Sequence, residues 1–449
     1  MSDNALEDLG HALIDAARKA GADAADALAV QQTSLSIDVR AGALEEASRS
    51  EGVDIGLRVL IGKRSAIVSA SDISKNTIDQ MAERAVAMAQ EAPEDPNIGL
   101  AEPDQLATDW DLAALDLFDA GDEPEPAALQ EAATRAEAAA LAVDGVAQTQ
   151  GASAAFGVTQ VALTASNGFS GCYARSSHMI SAVAISGEGT GMEREYDGDM
   201  RLHRGDLRSP EEIGTLAGER AVAAQGARKP PTGAYPVLYD ERISSSLIGH
   251  LTAAINGAAI ARGSSWLRDA MGSQVLPTGV TLTENPHRPR IPGSRPFDGE
   301  GLPTQRRDWV KDGVLQDWIL DLATARKLGL QSTGNAGRGT STAPSPSLSN
   351  LELTQGTATR ADLLRDMGTG LLVTSMIGSS INPTTGDYSR GASGFWVENG
   401  EITHPINECT IAGNLRDMLL GMTAANDARP YLSRVVPSLL VEGLTLAGS

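Results

Sequence analysis

The sequence predicts an α+β protein: an N-terminal region of two α+β subdomains, each helix–antiparallel strands–helix, followed by a C-terminal, mainly antiparallel β domain. Three observations predict it. Stretches of helical period bracket stretches of two-residue alternation in the first half of the chain. That order of elements then recurs, which suggests a duplicated module. After the segment KPPTG (229–233) long helices give way to Gly-, Pro- and turn-rich sequence.

In the first module, ALEDLGHALIDAARKAGADA places Leu6, Leu9, Ala12 and Leu13 on one helical face and stops at Gly21. ADALAVQQ, TSLSIDVRAGALEEA and GVDIGLRVLIGKRSAIVSAS follow as strand-like segments. SKNTIDQMAERAVAMAQEA is the closing helix, with Ser74 and Asn76 as candidate caps. Residues 91–125 hold twelve acids, no Lys or Arg, and four prolines before the closing Glu125, the texture of a linker or solvated wrap with a short helix at LAALDLF. The second module opens with the helix PAALQEAATRAEAAALAV and continues with strands in VAQTQGASAAFGVTQVALTAS and GCYARSSHMISAVAIS. It closes with SPEEIGTLAGERAVAAQGA, where Ser209 precedes Glu212 by three in a capping-box pattern. ERAVAMAQ (83–90) and ERAVAAQ (219–225) occupy the same place in the two modules. The expected divisions are 1–92, an acidic Pro-containing linker 93–125, 126–228 and 229–449. In the last of these, VKDGVLQDW and FWVENGEITH read as hairpins turning at Asp-Gly and Asn-Gly, with short helices at ATRADLLRDMG and NLRDMLLGM.

A chain of 449 residues needs more than one core. Its 41% hydrophobic and 21% charged residues suit a soluble globular protein, and with 4% aromatics its cores must rely on aliphatic side chains. The net charge of -22 opposes direct nucleic-acid binding, because phosphate recognition draws on Lys and Arg. No apolar run is long enough to span a membrane. Cys172 and Cys409 have no CxxC spacing, and the stretch MSDNALEDLGHAL has no leader-like pattern, so a reduced cytoplasmic setting is expected.

The six histidines show no i, i+3 or i, i+4 pair, and there is no GxSxG elbow or Walker A loop. GEGTG (187–191) falls between strands and reads as a hairpin turn. Two polar Gly-rich stretches, QSTGNAGRG (331–339) with Arg338 and INPTTGDYSRGASGFW (381–396) with Arg390, read as wide loops that offer a binding rim.

The runs FDGEGLPTQRRDWVKDGVLQDWILDLATARKLGLQSTGNAGR and INPTTGDYSRGASGFWVENGEITHPINECTIAGNLRDML, with the boundary segment GAYPVLYD, resemble the PmbA (TldE) branch of the TldD/PmbA family. The resemblance covers essentially the whole chain. It implies the fold described above and a place in a metallopeptidase system acting on unfolded or extended peptides. That system is linked to peptide-antibiotic maturation and antitoxin degradation, and its older label is modulator of DNA gyrase. TldD-type members are the zinc peptidases; PmbA-type members associate with them as partners. In the TldD branch the helix after the boundary strand carries His-Glu-x-x-x-His, and a cysteine downstream of the IAGN counterpart completes the site. Anchored on NGAAIARGSS, those positions fall here on Ile248, Gly249 and Ala253, and no cysteine follows Asn414. His250 is out of register.

The resemblance therefore implies a non-catalytic subunit with no metal of its own, zinc residing in a TldD-type partner, and a helix whose Ile248 and Ala253 fill the core. Homodimerisation in the partner's absence is also expected. Candidate contacts to peptide or partner are Arg262, Ser264, Asp387, Tyr388, Ser389 and Arg390. Two alternatives stand beside this reading. One is a stand-alone metallopeptidase with ligands from His178, His203, His287 or Cys409; the other is a homodimeric peptide-binding scaffold.

Overall fold

The computed structural model describes residues 3–448. Met1, Ser2 and Ser449, the ends of the stretches read for a leader and for a downstream cysteine, lie outside the described residues. The chain is a mixed α+β protein. The first module is α1 (Asp3–Ala20), β1 (Ala24–Arg40), β2 (Ala43–Ile61), β3 (Arg64–Ala70) and α2 (Lys75–Glu91). A short α3 (Leu112–Leu115) lies in the connecting segment. The second module is α4 (Pro126–Leu141), β4 (Val146–Ala165), β5 (Ser170–Ser186), β6 (Glu193–Arg201) and α5 (Pro210–Ala223). The matching order of elements is present, and ERAVAMAQ and ERAVAAQ lie on α2 and α5. The two modules share one antiparallel sheet of order β3-β2-β1-β4-β5-β6, joined where β1 pairs with β4.

Several local expectations are corrected. ADALAVQQ and TSLSIDVR form one continuous strand, because no turn residue interrupts the extended backbone between them. Ala12 is exposed, and Ile14, Ala16 and Ala17 join Leu6, Leu9 and Leu13 in the core. Six residues separate Leu6 from Ala12, about two-thirds of a turn out of phase. Ser74, not Asn76, caps α2, its Oγ accepting from Thr77 N. GEGTG does lie in the connection between β5 and β6, but EREYDGDMR after it is a strand that alternation of apolar residues did not reveal.

One face of the shared sheet carries all four long helices. Successive side chains of a strand point to opposite faces. Odd-numbered Ala25, Ala27 and Ala29 of β1 pack beneath α1 and α2, and odd-numbered Leu35, Ile37 and Val39 pack beneath α4 and α5. On the other face Leu28 and Leu163 meet Phe169 and Phe297, and Phe297 belongs to the C-terminal domain. The acidic segment is an ordered wrap. Ala101, Ala107, Leu115 and Leu117 are buried, and Arg326 donates to the carbonyls of Asn97, Gly99 and Leu100.

The C-terminal domain holds a six-stranded sheet, order β16-β15-β14-β7-β19-β17, built from β7 (Gly233–Tyr239), β14 (Gly370–Ile381), β15 (Asp387–Glu398), β16 (Glu401–Asn414), β17 (Thr423–Ala424) and β19 (Leu439–Ala447). Against it lie α6 (Ser245–Ala254), α7 (Gly257–Arg262) and α10 (Leu415–Leu420). A five-stranded sheet contains β8 (Leu282–Glu284), β9 (Arg307–Lys311), β10 (Val314–Leu315), β13 (Leu351–Leu353) and β18 (Arg434–Val435). The short pair β11 (Ala336–Gly337) and β12 (Ser345–Pro346), with α8 (Leu322–Leu328) and α9 (Arg360–Met367), completes it. Both predicted hairpins turn as expected: Asp312 and Gly313 have φ of 50° and 80°, Asn399 and Gly400 of 54° and 79°.

The N-terminal sheet and the C-terminal domain are locked by a buried charge network. Arg338 Nη1 lies 2.6 Å from Asp26 Oδ1, and Arg58 Nε donates to Asp26 Oδ2 at 3.0 Å; all three side chains are buried. The two guanidiniums hold the Asp26 carboxyl below its ordinary range against the opposing effect of burial. The stretch 331–339 is thus a docking element, which corrects its reading as a binding rim. Beneath it Asp298 accepts from the backbone N–H groups of Glu300, Leu302 and Ala336, and Glu300 from that of Leu322. Burial and the neighbouring Asp298 push the Glu300 carboxyl up to about 8.

Two outcomes follow. Arg338→Ala leaves Asp26 with half its compensation and should cost about 3 kcal/mol, read as a lowered Tm by calorimetry, with the N-terminal sheet melting ahead of the C-terminal domain. Glu300 keeps its proton in the fold while an unfolded glutamate ionises near 4.5, so its contribution is full below 4.5 and lost as pH rises towards 8. Glu300→Gln should flatten that part of the Tm-versus-pH profile and raise Tm at pH 8.

Candidate functional site

The Ala-rich segment 248–266 is two helices. α6 ends at Ala254 with Ile255 as its C-cap, and Asn256 caps α7 by accepting from Ala258 N. Ile248 is fully buried in the C-terminal core, in the same cluster as Leu251, Tyr239 and Leu371. Gly249 is half-buried and Ala253 is exposed. Five residues turn an α-helix by 500°, so a helix that buries position 248 carries position 253 about 140° away. The expectation that Ala253 fills the core is corrected on that ground. None of the three residues offers an electron pair to a metal.

The other donor-type side chains near or far do not supply a site. His250 packs edge-on against Tyr388, ring centroids 5.8 Å apart, with its Nε2 buried and without a hydrogen-bond partner. Burial, and then the Arg390 charge, hold its imidazole below the usual histidine range. Cys409 is buried in β16, and burial pushes its thiol up to about 11, away from the thiolate a metal needs. His287 Nε2 is 2.9 Å from Thr304 Oγ1. His178 and His203 flank Asp119 of the acidic wrap, at 3.4 and 3.9 Å, and His203 Nε2 is 3.0 Å from the Asp116 carbonyl. Among the described residues no three His, Cys, Asp or Glu side chains are grouped to hold a metal ion. The residues present do not fit zinc.

The remaining candidates separate. Arg262 ends α7 exposed, and Ser264 is half-buried beside it. The stretch 381–396 is mostly β15, a correction to its reading as a loop. On it Asp387 is exposed and held by Thr385 and Asn414, whereas Tyr388 is buried. Ser389 and Arg390 are half-buried, and Arg390 Nε donates to the Gly378 carbonyl at 2.8 Å. Arg390 reaches a feature that no local pattern disclosed: a cleft of about 650 Å³ between the N-terminal sheet and the C-terminal domain.

One wall of that cleft is β6. Every residue from Glu195 to Met200 lines it, so the strand's edge borders the space, and β6 pairs with β5 alone. The facing wall is Thr374, Ser375 and Met376 of β14, beyond Val373, where pairing with β7 stops. The edge of β6 and the stretch of β14 beyond Val373 thus border one cleft, and on β6 the Tyr196 and Gly198 carbonyls accept from Arg220 and Arg208. Asp197 and Asp199 keep β6 in place through Arg208, Arg220 and Arg201.

Fold and site define an α+β protein with a cleft between its N-terminal sheet and C-terminal domain, in which Ile248, Gly249 and Ala253 bring no metal donor. Family models for the PmbA/TldA metallopeptidase match in three parts: domain 1 over residues 25–89, the central domain over 119–225 and the C-terminal domain over 232–448. The chain belongs to the PmbA/TldD family. It is 36% identical over 430 residues to the Metalloprotease PmbA of Escherichia coli O157:H7, covering 95% of this chain and 92% of that one. It is 36% identical over 438 residues to the Metalloprotease PmbA homolog of Haemophilus influenzae, covering 97% and 94%. A crystal structure from Bacteroides thetaiotaomicron, described as that of a proposed modulator of DNA gyrase, superposes with a TM-score of 0.91 at 27% identity over all of both chains. TldE from Thermococcus kodakarensis shares the fold, with a TM-score of 0.84 at 20% identity, covering 98% of this chain and 100% of that one.

His250 reports on the cleft-side charge. Its NMR titration midpoint should lie below the free-histidine value, and Arg390→Gln should raise it; an unchanged midpoint in the variant would separate the two residues.

Proposed function

We propose that this chain is the non-catalytic subunit of a PmbA/TldD-type metallopeptidase. It helps to hold unfolded or extended peptide while a TldD-type partner supplies zinc and the hydrolytic step. The observation that carries this reading is the donor set. Ile248, Gly249 and Ala253 occupy the positions where zinc ligands and the general base would stand, and Ile248 is built into the core. The candidate cysteine, Cys409, is a buried, protonated thiol on a strand.

The cleft supports the peptide part of the reading. Extended chain pairs with open sheet edges through backbone groups, which gives affinity without demanding a sequence. The stretch of β14 beyond its pairing with β7 offers such groups, as does the β6 edge outside the Tyr196 and Gly198 carbonyls that Arg220 and Arg208 hold, and Ser389 and Arg390 belong to the adjoining strand. Arg262, Ser264, Asp387 and Tyr388 then belong to partner contact or to support of the cleft rather than to chemistry. The proposed setting is the cytoplasm, where the thiols of Cys172 and Cys409 stay reduced, and the proposed state without partner is a homodimer.

The names of the curated relatives favour a second reading, in which the chain is itself a metalloprotease. Zinc analysis and a peptide-cleavage assay separate the two. The purified chain should bind substoichiometric zinc and leave an unstructured peptide intact. Mixing with a TldD-type subunit should yield a mixed assembly by sizing and restore cleavage. Stoichiometric zinc with cleavage by the chain alone would reject the proposal.

A further inference from the structure

One end of the cleft has a chemistry that backbone pairing does not require. Four arginines line the space, and three are already neutralised. Arg220 lies 2.6 Å from Asp197, Arg242 3.2 Å from Asp240, and Arg429 2.7 Å from Glu241. Arg390 differs: among the described residues its only hydrogen bond is from Nε to the Gly378 carbonyl, and no carboxylate lies within ion-pair reach. Its two terminal nitrogens, the fork that grips a carboxylate, are uncommitted.

Around the same space stand Ser245 and Ser246 of the first turn of α6, and Thr374 and Ser375 of β14. The hydroxyls of Ser245, Thr374 and Ser375 have no hydrogen-bond partner among the described residues, and Ser246 Oγ meets only Met376 Sδ at 3.7 Å. The N-terminal end of a ten-residue helix adds a positive partial charge, while the N–H groups of Ser246 and Leu247 are taken by the Ile243 and Ser244 carbonyls. An unpaired guanidinium, a helix start and four hydroxyls line one space in a protein whose net charge is -22. The carboxylate in the cleft without an ion-pair partner, Glu195, stands on the β6 wall. Beside these polar and charged groups the space is also lined by adaptable apolar side chains, Met179, Met200, Ile243 and Met376, with Tyr196 61% exposed at β6.

We propose that this end of the cleft is an anchor for the C-terminal carboxylate of a peptide, gripped by Arg390 with the Ser245, Ser246, Thr374 and Ser375 hydroxyls, its last side chain resting on the methionines. The anchor rests on the peptide-holding reading and adds polarity to it. Edge pairing alone accepts a chain in either direction, whereas a carboxylate grip sets which end enters.

The test uses the full chain and a fluorescent unstructured decapeptide ending in leucine, as free acid and as C-terminal amide. A third peptide is an amide with glutamate replacing the penultimate residue. The free acid should bind at least about tenfold tighter than the amide, the scale of one charge-assisted pair. Arg390→Gln should abolish that ratio and leave amide binding in place, and inorganic phosphate should compete only weakly. Equal binding of acid and amide by the native chain would overturn the anchor and leave the edge-pairing reading intact. The same holds if the ratio survives in Arg390→Gln. Binding of the glutamate amide as tight as that of the acid would overturn the terminal-carboxylate assignment, and phosphate competing as strongly as the acid would reduce the site to a general anion site. Failure of all three peptides to bind would overturn both readings. Should Arg390→Gln not fold, the acid-to-amide ratio on the native chain still decides.

Discussion

The shape of the molecule depends on one buried carboxylate. Asp26 lies in the middle of the N-terminal sheet, where an uncompensated charge would be ruinous. Arg58 comes from the neighbouring strand and Arg338 from the far domain, 312 residues along the chain. A lone Asp26–Arg58 pair would leave acceptor capacity on the carboxylate unmet, so the sheet is complete only when the 331–339 stretch is docked. Gly56 makes that approach feasible: a Cβ there would lie 2.0 Å from the Thr340 carbonyl oxygen. Any larger residue at position 56 would hold the stretch away and leave Arg338 short of its partner.

A joint locked at that point leaves a space elsewhere. The aromatic cluster of Trp110, Phe169, Tyr173 and Phe297 closes one part of the contact with offset and edge-on rings. Beyond it the C-terminal domain diverges from the sheet, and β6 and β14 end up facing each other across the cleft without pairing. The ion pairs of Asp197, Asp199, Asp240 and Glu241 stiffen both walls. The two edges are thus held apart by structure and do not pair with each other.

Much of this architecture was legible in the sequence because it rests on local rules. The α1 and α2 periods, the Ser74 and Ser209 caps, the duplicated order and the Asp-Gly and Asn-Gly hairpins are each decided within about ten residues. β6 was not legible because Asp197 and Asp199 occupy its inward positions, and their burial is tolerable only through Arg201, Arg208 and Arg220. A strand whose core-facing residues are acids reads as a loop until its partners are known. The cleft was hidden for a related reason: its walls come from β6, the start of α6 and the middle of β14. Arg338 and Arg390 looked alike as arginines in Gly-rich polar stretches. Only tertiary placement separates one that is 1% exposed against Asp26 from one that meets a single carbonyl.

The contrast between α6 and the cleft also bears on how a chain of this family could lose a metal and persist. A zinc site ties a helix to its surroundings through coordinate bonds, and deleting the ligands without replacement would leave polar space. Here Ile248 substitutes apolar burial, worth roughly 2 kcal/mol for such a side chain, and position 253 needs nothing because it faces outward. On the proposed reading the cost of losing an ion is therefore local to one helix face. The cleft draws its integrity from Asp26, from the aromatic cluster and from ion pairs that involve neither position. On the proposed reading, peptide holding and metal chemistry are separable in this scaffold, since the walls of the cleft do not depend on residues 248 or 253.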